Sequence, residues 1–187
     1  MPGQTPDPDP ELIRRWQRGD RAAFEQIVRH WHPRVGRFLA RLVGCPELAR
    51  DLAQEVFLRV YLSAGRYWED GHFPTWLFQI ALNQVRDAAR RSLRRPSVPL
   101  ADADPAAPED GRLEDQERAD AVAAALAELA GPLREVVVLR HYEDLSFEAM
   151  ARLLGTPAST LKSRFAVAMT RLRERLTARG LLPEETR

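Results

Sequence analysis

The chain has 187 residues, enough for one domain or two small ones, and its 28 Lys and Arg against 27 Asp and Glu leave a formal net charge of +1. Any nucleic-acid surface must therefore arise from local charge asymmetry. The single cysteine, Cys45, excludes an internal disulfide and a cysteine-based zinc site, and no apolar run approaches the roughly 18 residues of a membrane span.

The opening MPGQTPDPDPEL is acidic and Pro-broken, unlike a signal peptide, so a cytoplasmic protein is expected. Residues 1–10 have little to bury and read as disordered. Glu11–Arg18 reads as a short helix. Asp20 then caps a longer one, with Phe24, Ile27, Val28 and Trp31 at helical spacing. Pro33 disfavours the helical region for His32, so a kink or break is expected there. Val35, Phe38, Leu39 and Leu42 repeat the pattern as far as Gly44. Leu48–Leu62 follows as a helix with Leu52, Val56 and Val60 inward. Tyr67–Thr75, with Gly71 and Pro74, reads as an aromatic loop. Trp76–Arg91 is helical again, with Trp76, Leu77, Ile80, Ala81 and Val85 inward. It runs into a basic end in which Arg86, Arg90, Arg91, Arg94 and Arg95 face Asp87 alone.

Pro96–Gly111 interleaves four prolines with alanines and acidic residues, the composition of an extended linker that cannot bury enough apolar surface to fold alone. Helix resumes at Leu113 or Glu114 and runs to Leu129, with Ala121, Val122, Ala125, Leu126 and Leu129 on its apolar face. Gly131-Pro132 stops one helix and starts another, Leu133–Tyr142. Ser146 is placed to cap a helix that presents Phe147, Met150, Ala151 and Leu154 on one side. Gly155 can close it in the left-handed conformation. Thr156 and Pro157 offer a second start, after which Leu161, Phe165, Ala168, Met169, Leu172 and Leu176 form a stripe. Helix, tight turn, helix is the helix-turn-helix layout. No alternating strand pattern occurs, so the expected fold is all-α: two small helical bundles, residues 11–95 and 113–187, joined by an acidic Pro/Ala-rich linker, residues 96–112.

Several constellations bear on function. Ser159, Thr160, Lys162, Ser163 and Arg164 lie off the apolar stripe at the start of the last helix, where hydroxyls and a guanidinium can read base edges and an ammonium suits phosphate. Arg171 and Arg173 extend that basic character. Tyr67, Trp68 and Phe73 are an unusual aromatic load for a loop. They could stack on unpaired bases or pack into the core, and the basic helix end that follows favours nucleic acid. Asp51, Gln54, Glu55 and Leu58 share one helix face; such an acidic-plus-apolar stripe is usually a solvated face, with a docking stripe the less favoured reading. His30 and His32 are two apart on a helix and face different ways, so no metal site is expected. No phosphate loop, nucleophile elbow or carboxylate pair stands out, and neither catalysis nor a cofactor is expected.

In DLAQEVFLRVY (Asp51–Tyr61), FPTWLFQIALNQVRDAARR (Phe73–Arg91) and LREVVVLRHYEDLSFEAMARLLGTPASTLKSR (Leu133–Arg164), the chain resembles the extracytoplasmic-function (ECF) sigma factors of the sigma-70 family. The resemblance spans about residues 11–95 and 113–178, in the family's order across an acidic linker. It implies an alternative bacterial sigma factor that directs core RNA polymerase to specific promoters and helps nucleate promoter melting. It implies that Asp51, Gln54, Glu55 and Phe57 dock the polymerase clamp. Tyr67, Trp68, Phe73, Thr75, Asn83, Arg86 and Arg90 would then meet the −10 element, with Trp76 mainly structural. Ser159, Thr160, Lys162, Ser163, Arg164 and Arg171 would meet the −35 element, and an anti-sigma protein would be a partner. The chain departs from the family after Arg164, where Phe165–Met169 replaces further arginines; this implies weaker phosphate contact there or a partner surface. The competing reading is a free-standing helix-turn-helix regulator that binds duplex sites without polymerase.

Overall fold

The computed structural model describes residues 10–67, 73–94 and 113–183, and among these every regular element is helical. The chain divides into two compact units, Met1–Leu39 with Glu47–Leu100, and Ala40–Pro46 with Ala101–Arg187. The expected linker at 96–112 lies outside the described residues, as does the disorder expected over residues 1–10, except for Pro10, which opens a helix.

Four α-helices belong to the amino-terminal part: α1 (Pro10–Gln17), α2 (Arg21–Val43), α3 (Pro46–Leu62) and α4 (Phe73–Arg94). Asp20 caps α2 as its sequence position suggests. Its Oδ1 accepts from Ala23 N at 3.2 Å, and Arg15 pairs with it at 2.7 Å. The Arg15 hydrogen bond, helped by that backbone N–H, holds the Asp20 carboxyl below the usual carboxylate range. The break expected at Pro33 does not occur. α2 runs through the proline, while Trp31 and Val35 on either side are fully buried. A proline ring costs one intrahelical hydrogen bond, and the apolar burial around it opposes that loss. α4 likewise starts at Phe73, three residues earlier than its apolar periodicity indicates, with Pro74 inside its first turn where the missing N–H would be unpaired anyway.

The core of this unit is aromatic. Trp31 meets Phe73 at 5.6 Å and Phe78 at 6.4 Å between ring centroids, and Phe38 meets Phe78 at 4.7 Å. Ile27, Leu39, Leu52, Leu77 and Leu82 complete it. Tilted aromatic pairs at such separations add about 0.5–1.5 kcal/mol each beyond their buried area.

The second unit contains α5 (Leu113–Ala127), α6 (Gly131–Val137), a π-helical turn (Val138–Tyr142), α7 (Phe147–Leu154) and α8 (Ala158–Ala178). The sequence pattern anticipates one helix from Leu133 to Tyr142. Instead, α6 widens into the π turn, which keeps Val138 and Leu139 buried. Ala125, Leu126, Leu129, Val137, Ala168 and Leu172 form a core between α5, α6 and α8.

Candidate nucleic-acid interface

The helix-turn-helix is built by local chemistry. Ser146 Oγ accepts from Ala149 N at 3.1 Å and so caps α7, as its position predicts. Gly155 closes α7 at φ +62°, with its N–H bonded to Ala151 O. Thr156 is not the second cap. Its hydroxyl donates to Leu154 O at 3.4 Å, and Pro157 occupies the cap position of α8 without a side-chain hydrogen bond. Met150 and Leu153 of α7 and Leu161 of α8 are buried, which fixes the angle at which α8 leaves the turn. Leu153, rather than Leu154, is the inward residue.

That packing leaves one edge of α8 open. Ser159, Lys162 and Ser163 are exposed, and Thr160 and Arg164 half-buried. Lys162 Nζ lies 4.0 Å from Glu148 and 5.8 Å from the Phe147 ring centre. Arg171 is exposed further along, whereas Arg175 and Arg179 both pair with Glu128, just after α5. Met169, expected on the apolar stripe, is 42 % exposed, and Val167 is 45 % exposed. α8, at 21 residues, is longer than α5, α6 or α7, and part of its stripe remains in water.

In the first unit, the aromatic loop is largely structural at its ends. Tyr67 and Phe73 are buried, 5.6 Å apart, and both pack on Trp76. As placed, both rings are packed inside the unit, the second of the two readings open for Tyr67 and Phe73. Burial removes more apolar area than an exposed ring could lose to a single base. Trp68 lies outside the described residues. Thr75 is half-buried in the first turn of α4. Asn83 is exposed and accepts from Gln79 Nε2 at 3.3 Å, Arg86 is half-buried, and Arg90 is exposed and paired with Asp87. The Arg90 hydrogen bond holds the Asp87 carboxyl below the usual range, with Arg59 and Arg91 adding their charge and desolvation opposing.

Asp51, Gln54 and Glu55 stand exposed on one side of α3, but Phe57 is 6 % exposed and stacks on His32 at 5.7 Å. The outward apolar residue is Leu58, at 59 % exposure, so it is Leu58 and not Phe57 that shares the exposed side of α3 with Asp51, Gln54 and Glu55. Sequence reasoning missed Gln84. It is fully buried, on the same helical stripe as Leu77 and Ala81. A polar residue at a core register was the available signal.

Two helical units, the second a helix-turn-helix with a polar edge on its last helix, define a DNA-binding protein. The sigma-70 region 2 family model matches residues 27–95 and the sigma-70 region 4 model residues 119–172. The chain is 32% identical over 173 residues to the RNA polymerase sigma-H factor of Pseudomonas aeruginosa, covering 86% of this chain and 89% of that one. It is 36% identical over 165 residues to the ECF RNA polymerase sigma factor SigM of Mycobacterium tuberculosis, covering 88% and 82%. Among solved structures it is similar to the sigma factor RpoE of Bartonella quintana, crystallised with the anti-sigma factor NepR (TM-score 0.70, 25% identity, 82% of this chain and 96% of that one). It is also similar to CnrH in complex with the cytosolic domain of CnrY (TM-score 0.65, 27% identity, 90% and 96%).

The chain belongs to the ECF sigma factors of the sigma-70 family. It is an alternative sigma factor that brings core RNA polymerase to promoters, and the reading as a free-standing regulator is not favoured. Among the described residues, no helix is long and apolar enough to cross a membrane.

Proposed function

We propose a division of labour among three surfaces of this sigma factor. α8 enters the −35 major groove, with Ser159, Thr160 and Arg164 facing base edges and Lys162 and Ser163 facing phosphates. α4 follows the −10 element through Asn83, Arg86 and Arg90, while Trp68 and Thr75 meet the opened strand. α3 docks core polymerase through Asp51, Gln54, Glu55 and Leu58. Residues 11–95 and 113–187 act as the two working domains, and residues 96–112 act as the tether between them. Work is done in the cytoplasm, and no catalytic step or cofactor is assigned to the chain.

The observation that carries this reading is the open edge of α8, polar on one side and anchored on the other by Leu161, Ala168 and Leu172. Energetics then make polymerase necessary. Opening roughly ten base pairs opposes stacking of about 1.4 kcal/mol per step. A captured base returns only ~1–3 kcal/mol. The −10 surface can therefore nucleate and hold an opening, and polymerase supplies the rest. RpoE and CnrH were each solved bound to a protein partner, NepR being an anti-sigma factor. We infer that an anti-sigma protein controls this chain as well.

Holoenzyme binding to two templates tests the division. One is a duplex promoter, the other a pre-melted −10 fork lacking the −35 element. Ser163→Ala with Arg164→Ala should weaken binding to the duplex and leave the fork unaffected. Asn83→Ala with Arg90→Ala should weaken both. Equal effects of the α8 pair on the two templates would refute the assignment.

A further inference from the structure

The side chain of Gln84 lies wholly inside the first unit, yet it faces two charged groups whose heads reach solvent. With its amide oriented to suit its neighbours, Gln84 Nε2 donates to Glu55 Oε2 at 3.0 Å, and its Oε1 accepts from Arg59 Nε. Around this pair, Arg91 lies 3.6 Å from Glu55, and Asp87 lies 3.9 Å from Arg59. Two residues of α3 are thus gripped from α4, by one buried amide in the middle and by two exposed ion pairs at the rim. The rim pairs are solvated and individually weak. The amide is different. It is desolvated, its alternatives are lost hydrogen bonds rather than water, and it offers a donor to a carboxylate and an acceptor to a guanidinium at once. Glu55 and Arg59 are four apart on α3, so they stand one turn apart on one face. Left alone, such long side chains sample many rotamers, and ordering them on binding costs affinity.

We propose that Gln84 is a positioning residue for polymerase docking: from beneath α3 it fixes the Glu55 carboxylate, so the docking face meets its partner already arranged. The inference rests on the reading of α3 as the polymerase surface. It also gives α4 a task beyond DNA, because the helix that follows the −10 element sets the charge offered on the next helix.

A double-mutant cycle on core polymerase affinity, with full-length protein, tests it. The variants are Glu55→Ala, Gln84→Met and both together, with thermal unfolding measured alongside. Met matches Gln in length and removes both hydrogen bonds. The expected result is that each single change weakens core binding by roughly fivefold to tenfold, and that the double variant binds no worse than Glu55→Ala. Should Gln84→Met fail to fold, Gln84→Asn retains a buried amide but lacks the reach to Glu55, and the same cycle applies. If Gln84→Met weakens core binding equally with and without Glu55, the amide is structural and the proposal is overturned while α3 docking stands. If Glu55→Ala leaves core affinity unchanged, the docking reading itself fails and the inference falls with it.

Discussion

Replacing Lys162 by Ala isolates one phosphate contact, and its size follows from counterion release. A cation that neutralises one phosphate on duplex DNA contributes about 0.9 to the slope of log affinity against log salt. Between about 50 and 200 mM salt, a fourfold change, that one contact accounts for roughly a 3.5-fold change in affinity. The penalty for Lys162→Ala should therefore be larger at the low end by about that factor. Glu148 is the internal competitor, 4.0 Å from Lys162 Nζ with both side chains more than half exposed. An exposed pair of that kind is worth about 0–1 kcal/mol, too little to withhold the lysine from a phosphate. Glu148→Gln should accordingly strengthen low-salt binding by no more than about fivefold. The assay is titration of labelled duplex promoter with reconstituted holoenzyme at several salt concentrations. Parallel lines for parent and Lys162→Ala would show that Lys162 touches no phosphate, and the placement of α8 would be wrong.

Other perturbations probe other links. Phe73→Ala should destabilise the free protein by about 3–5 kcal/mol in denaturant unfolding, because Phe73 is 1 % exposed and its cavity opens among aromatic rings. An unchanged unfolding curve with impaired promoter opening would return it to the base-stacking role. Gly155→Ala should cost about 1–2 kcal/mol, since the conformation at φ +62° is strained for a side chain while nothing stands within 4 Å of the added Cβ. No loss of stability would mean the turn relaxes. Asp87 has its carboxyl held low in the folded protein, so its contribution is present above the ordinary aspartate value of about 3.9 and disappears as pH falls through the lower folded value. Asp87→Asn should therefore melt below the parent at neutral pH, and the two curves should converge as pH drops from about 5 toward 2. A gap that persists in acid would count against the Arg90 pairing.

The helix-turn-helix was legible because its signals are local. Ser146 and Gly155 do what their residue types favour within four residues of themselves. The prolines were only partly legible because their effect is decided elsewhere. Pro33 is carried by burial of Trp31 and Val35 against other helices, and Pro74 joins the first turn of α4 instead of ending a loop. The aromatic loop held two valid readings, and only the positions of Trp31 and Trp76 show that Tyr67 and Phe73 belong to the core. Phe57 and Leu58 are adjacent in sequence, and which one faces out depends on the neighbour, His32 of α2, that covers Phe57. Gln84 could be marked only as a polar residue at a core register, for the same reason. A buried amide has meaning only once Glu55 and Arg59 of α3 are known to lie above it.

Run-off transcription with core RNA polymerase of the host bacterium, on a randomised promoter library and with or without the purified chain, tests the central claim most directly. The account predicts transcripts only when the chain is present, from templates sharing two short elements at fixed spacing, with no specific duplex binding by the chain alone. Transcripts independent of the chain, together with tight operator binding in the absence of polymerase, would contradict it.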